Sequence, residues 1–178
     1  MPFLVRKINK RDQFSTLLAQ DSVEDIHADV PTCEFKTAQG TLSTWLIESL
    51  EDIDNAVLAI AVSSSKISKM DFIVIDTDIL DQNGLAYKKT YAGIELPIAD
   101  LQDTHYDIIN ISLKKLTNCA TVYKTIYSQE SVDEEKFILR FSEAEIKEKL
   151  KKAISEDRVD KNKASKPIRQ VIEQLSVA

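Results

Sequence analysis

A chain of 178 residues with 43% apolar and 29% charged side chains is long enough to bury one sizeable core and too apolar to be disordered over most of its length, so disulfides and a structural metal are not required for folding. The net charge of −6 is unevenly held: residues 1–141 carry 14 Lys and Arg against 22 Asp and Glu, and residues 142–178 carry 9 against 7. An acidic body repels phosphate backbones, which disfavours broad electrostatic binding of nucleic acid except through the tail.

In chain order, Phe3 to Ile8 is a short apolar run suited to a strand, and Asn9 to Asp12 reads as a turn into a short helix carrying Phe14, Leu17 and Leu18. Cys33–Thr37 and Leu42–Glu48 flank Gln39-Gly40, with Ser43, Trp45 and Ile47 on one face, and together predict a β-hairpin. Ser49 and Asp52 form a capping-box pattern ahead of a helix that runs to about Val62. Phe72-Ile73-Val74-Ile75 is the clearest buried strand, bounded on both sides by polar residues. Asn83-Gly84 tolerates positive φ and predicts a second hairpin leading into Leu85, Tyr87 and Tyr91.

Asp103 or Thr104 then caps a predicted long helix, with Ile109, Leu113, Leu116, Ala120, Tyr123 and Tyr127 along one row and a second row from Ile108 to Ile126. Two apolar rows make this helix the expected central packing element. Beyond an acidic loop at Ser131–Glu135, Phe137-Ile138-Leu139 reads as a strand, and Ser142 with Glu145 forms a second capping box opening a helix with Ile146, Leu150, Ala153 and Ile154 on one side. Residues 155–166 read as a solvated linker to a final amphipathic helix carrying Ile168, Val171, Ile172 and Leu175, with Pro167 near its start. The expected architecture is α+β: a mixed or antiparallel sheet packed on a long central helix. It comprises a core domain at 1–141 and a charged helical extension at 142–178.

The start of the chain, Met1 to Lys7, lacks the apolar region of a secretory leader, and no stretch reaches the roughly 20 apolar residues of a membrane span. Cys33 and Cys119 stand outside any C-x-x-C pattern and read as reduced, buried thiols. A cytoplasmic protein without membrane attachment is expected.

Several constellations bear on chemistry. Asp76-Thr77-Asp78, with Asp81 close behind, lies at the end of the apolar strand, where carboxylates can hold a divalent cation. It resembles the opening motif of haloacid-dehalogenase-type phosphatases, although Ile79 and Leu80 stand where that family has Gly or another small residue and then Thr. The same stretch fails as an EF-hand, because the first and twelfth positions of that loop fall on Ile79 and Thr90.

Glu34-Phe35-Lys36 has the E-x-K spacing of restriction-type nucleases, with Asp25 or Asp29 as a partner for Mg²⁺; a cross-strand charge pair is the alternative. His105, placed one turn before Ile109, reads as a partly buried, hydrogen-bonded histidine or a general base. His27 is read in the same way. Only three glycines occur, so neither a P-loop nor a G-x-G-x-x-G turn can be built, and no cofactor is expected. Lys147, Lys149, Lys151 and Lys152 could contact nucleic acid, but Glu145 and Glu148 intervene at pairing distance along the helix.

Leu4-Val5-Arg6-Lys7-Ile8, Ala28-Asp29, Thr37, Leu42-Ser43-Thr44-Trp45 and His105-x-Asp107-Ile108 resemble a group of small uncharacterised bacterial proteins, some of them encoded beside larger ATPases or nucleases in mobile or phage-defence gene clusters. The resemblance implies an accessory role and transfers no catalytic residue. The leading expectation is a non-enzymatic interaction subunit that docks a protein partner or a second copy through Ile168, Val171, Ile172 and Leu175. The alternatives are a metal-dependent phosphodiesterase or phosphatase using Asp76, Asp78 and Glu34, and a nucleic-acid-binding module using the tail lysines.

Overall fold

The computed structural model describes residues 2–9, 11–20, 22–130 and 137–177; the acidic loop predicted at Ser131–Glu135 lies outside them. Among these residues, six strands form a single sheet: β1 (Phe3–Lys7), β2 (Leu42–Ile47), β3 (Met70–Asp76), β4 (Tyr87–Lys89), β5 (His105–Ile108) and β6 (Ile138–Phe141), in the order β4-β5-β2-β1-β3-β6. Every neighbouring pair is antiparallel, so the α+β class holds and the sheet is antiparallel rather than mixed.

Alternation along the central strands sends side chains to two separate cores. Val5, Trp45, Ile47, Phe72 and Val74 face one side, where they pack with α3 (Ile53–Ser63), α6 (Glu143–Ser155) and α7 (Lys166–Val177). Leu4, Ile8, Leu42, Ile73 and Ile75 face the other, under α1 (Arg11–Ala19), α2 (Asp29–Glu34) and α5 (Leu113–Glu130). Strand β3 therefore has no wet face, which is why its sequence is a continuous apolar run rather than an alternating one. Asp71, just ahead of that run, is 9% exposed and meets its cross-strand partner Arg140 with Nε–Oδ1 at 2.7 Å and Nη2–Oδ2 at 3.3 Å.

The helix and strand at residues 49–76 form where the sequence places them, and both capping boxes are made: Ser49 with Asp52, and Ser142 with Glu145. Three expectations are corrected. The Cys33–Thr37 arm of the first hairpin is not a strand. Residues 29–34 form α2, which Phe35 N–H closes onto the Pro31 carbonyl at 2.8 Å, and β2 pairs with β1 and β5 instead. Gln39 and Gly40 do turn the chain, at φ 54° and 73°, but the turn joins only the Ala38–Thr41 bridge.

The second correction concerns Asn83-Gly84, which ends a helix, α4 (Thr77–Gln82), instead of opening a hairpin. Gly84, at φ 62°, and Leu85 return hydrogen bonds to the Asp81 and Leu80 carbonyls, satisfying groups that a helix end leaves open. The third concerns the long helix, which begins at Leu113 rather than after Thr104, because residues 105–108 are taken into the sheet as β5 and Asn110 at φ 58° interrupts the backbone before Ser112. The helix packs on one face of the sheet against β3, α1 and α2, burying Cys119, Ala120, Val122, Tyr123 and Ile126 while leaving Leu113 and Tyr127 exposed.

Residues 155–166 are mostly exposed but held down. Val159 bridges Ile98, Asp160 N–H donates to the Pro97 carbonyl at 2.7 Å, and Arg158 Nη2 reaches Asp100 at 2.6 Å and Asn55 at 3.1 Å. They deliver α7 with its apolar stripe inward, Ile168 at 0% and Ile172 at 2% exposure, in the same core cluster as Trp45 and Phe72. Removing a buried side chain of that size leaves a cavity as well as losing transfer energy, so Ile172→Ala is expected to lower the unfolding free energy by about 2–4 kcal/mol, read from urea denaturation.

Candidate functional site

The residues singled out in the sequence are dispersed through this fold. Asp76 is the N-cap of α4, its Oδ1 accepting the Asp78 N–H at 2.8 Å, and Asp78 and Asp81 follow in the same short helix. Asp76 pairs with Phe3 at one end of β1. Glu34 lies past the other end, where its Oε2 accepts the Asn9 N–H at 2.9 Å, so six strand steps, roughly 20 Å, separate it from Asp76. No group of three or more His, Cys, Asp or Glu side chains that could hold a metal ion occurs among the described residues.

Glu34 and Lys36 are not the cross-strand pair the spacing suggested, since Glu34 is buried in α2 and Lys36 is exposed just beyond it. His105 is placed in β5 rather than on the long helix. It is 3% exposed, its Nδ1 is 2.9 Å from the Thr90 hydroxyl, and its ring lies edge-on to Trp45 with centroids 4.8 Å apart. Trp45 itself is buried in the core.

The tail lysines do not form an open basic face. Lys147 pairs with Glu143, Lys149 with Asp54 at 2.6 Å, and Lys152 lies 4.0 Å from Glu156. Lys151 is exposed. Of the predicted docking residues, Ile168 and Ile172 are buried in the chain's own core, while Val171 and Leu175 are partly buried against it.

A polar centre emerges that the sequence reading did not single out. Arg6 stands in β1 between Val5 and Lys7 and alternates with Leu4 and Ile8 onto the face beneath α1, α2 and α5. It is 8% exposed; Nη1 donates to the Ser43 carbonyl and Nη2 to the Glu34 carbonyl, both at 3.1 Å. Arg6 thereby ties β1 to the start of β2 and the end of α2. Asn9 adds to the same junction, its Nδ2 donating to the Glu34 carbonyl at 2.8 Å.

Tyr123 and Cys119 of α5 sit close enough to feel the Arg6 charge. Burial raises the Tyr123 hydroxyl above its ordinary range, with Arg6 opposing, and its ring is edge-on to Phe35 and Phe14 at 4.8 and 5.6 Å. Outside this centre, a cleft of about 420 Å³ opens between Arg6, Asn9, Cys33, Lys36, Thr41 and Ser43. A separate, more apolar groove of about 270 Å³ runs between α5 and the segment Val23–Pro31, with the exposed Leu113 on its rim.

Compared with family models, with curated proteins and with solved structures, the chain finds no match. Among the described residues, no helix is long and apolar enough to cross a membrane.

Two measurements check this geometry. Burial pushes the Cys119 thiol up to about 12, whereas Cys33 is partly exposed on the cleft. Since the thiolate is the reactive form, iodoacetamide at pH 8 is expected to modify Cys33 in the folded protein and Cys119 only after denaturation, as read by peptide mass.

His105 gives the second. Burial holds its pKa below the ordinary 6.5, against the smaller opposing effects of Asp107 and Thr90. The unfolded chain therefore takes up the histidine proton first as pH falls, so the stability due to neutral His105 is present above pH 6.5 and declines from there down to the folded-state pKa. The drop in urea midpoint between pH 7.5 and pH 5 is expected to be smaller in His105→Gln than in the parent.

Proposed function

We propose that the chain works by binding rather than by turnover, as a non-enzymatic accessory subunit of a bacterial multi-protein system, with phage defence as the setting its resemblance implies. The supporting observation is the dispersal of the reactive side chains. Asp76 and Asp78 cap and begin a helix at one end of β1, Glu34 is buried past the other end, and His105 packs on Trp45 on the opposite face of the sheet. Two-metal and general acid–base chemistry need such groups within a few ångströms of one reacting atom.

For docking through the C-terminal helices, the accessible part of the α7 stripe is the partly buried Val171 and Leu175, while Ile168 and Ile172 hold the helix to its own domain. The partner this reading calls for is a larger ATPase or nuclease of the kind encoded beside some of the proteins the chain resembles. Coexpressed with the products of the flanking genes, the chain is expected to elute with one of them at fixed stoichiometry. Val171→Gln combined with Leu175→Gln should then weaken that complex about tenfold, a loss of about 1.4 kcal/mol. Elution apart from every flanking product would overturn the reading. So would Mg²⁺- or Mn²⁺-dependent cleavage of a generic phosphodiester that disappears in the Asp76→Ala, Asp78→Ala double variant.

A further inference from the structure

The cleft outside the Arg6 centre is at odds with the charge of the chain around it. The protein carries a net −6, yet among the described residues the charged side chains lining this cleft are Arg6 and Lys36, both cationic, with no carboxylate. Arg6 is more than nine-tenths buried, and its two hydrogen bonds named above go to carbonyls, which satisfy N–H groups without neutralising the charge. Among the described residues its Nε–H has no hydrogen-bond partner within ordinary limits, and the Tyr123 hydroxyl lies close to the guanidinium.

A guanidinium held at low exposure keeps more of its attraction for an anion than one in bulk water, because the local dielectric is lower. Glu34, whose carbonyl Arg6 engages, is not among the described lining residues, and its Oε2 accepts the Asn9 N–H. The cleft volume of about 420 Å³ falls within the range of small-molecule sites.

We infer that this cleft binds a small molecule through a compact oxyanion, a carboxylate or a phosphate, with Arg6 as the buried charge at its back and Lys36 as the mobile charge at its rim. Lys36 is exposed, so its replacement leaves the core intact, whereas Arg6 ties three elements together and is unsuitable for the first test. The inference does not depend on the accessory role, since a partner subunit can carry a ligand site of its own.

The test is titration of the whole chain with inorganic phosphate and, separately, with acetate, at an ionic strength held constant with chloride. Saturable shifts of the Asn9, Thr41 and Ser43 amide resonances are expected with at least one probe, and iodoacetamide modification of Cys33 should slow with the same midpoint. Lys36→Glu, confirmed folded by an unchanged urea midpoint, should weaken that binding about tenfold, or about 1.4 kcal/mol. Saturation by phosphate alone assigns a phosphate-bearing ligand, and saturation by acetate alone assigns a carboxylate. No saturable shift with either probe, or a midpoint that Lys36→Glu leaves within twofold, overturns the inference.

Discussion

Strand β3 has helices on both sides and strands on both edges, and much of the molecule follows from keeping water off it. Phe72 and Val74 require one helical layer and Ile73 and Ile75 another, so the chain must supply amphipathic segments to both faces. It does so by alternating sides: α1 and α2 go to one face, α3 to the other, α5 to the first again, and α6 and α7 to the second. The C-terminal segment is thus the closing layer over Trp45 and Phe72, with Ile146, Leu150, Ile168 and Ile172 already committed to the fold.

What the sequence made legible were features whose signal is local. The Phe72–Ile75 run, the Ser49–Asp52 and Ser142–Glu145 boxes and the stripe of α7 each depend on residues within a few positions of one another, and each is where the pattern put it. What was misread depended on distant contacts. Residues 105–108 look helical beside the apolar rows that follow, but β2 and β4 offer open backbone groups on either side, and pairing with both outweighs local preference. Asn83-Gly84 suits a hairpin and a helix end equally, and here it closes the helix that Asp76 caps at its start.

The candidate site was hidden for a related reason. Searches for chemistry begin with acids, histidines and glycine-rich turns, and these are scattered here. Arg6 was visible as a charge on the same alternating face as Leu4 and Ile8, a position that reads as buried; its significance became plain only once α2 and β2 closed around it. A charge retained inside a strand is expensive to desolvate, and the Ser43 and Glu34 carbonyls offset part of that cost. The same arrangement leaves a cation facing a cleft in an otherwise acidic body, so the structural role of Arg6 and its capacity to recognise a ligand share one origin.

At the far margin of the sheet, β4 is only three residues long and ends in Lys88 and Lys89, with Lys89 drawn 2.8 Å from Asp103. A border this short and this charged offers a poor template for another chain's backbone. Crowded copies of the molecule are thereby kept from stacking strand against strand on that flank, and any assembly it enters has to be made through side chains rather than by extending the ladder there.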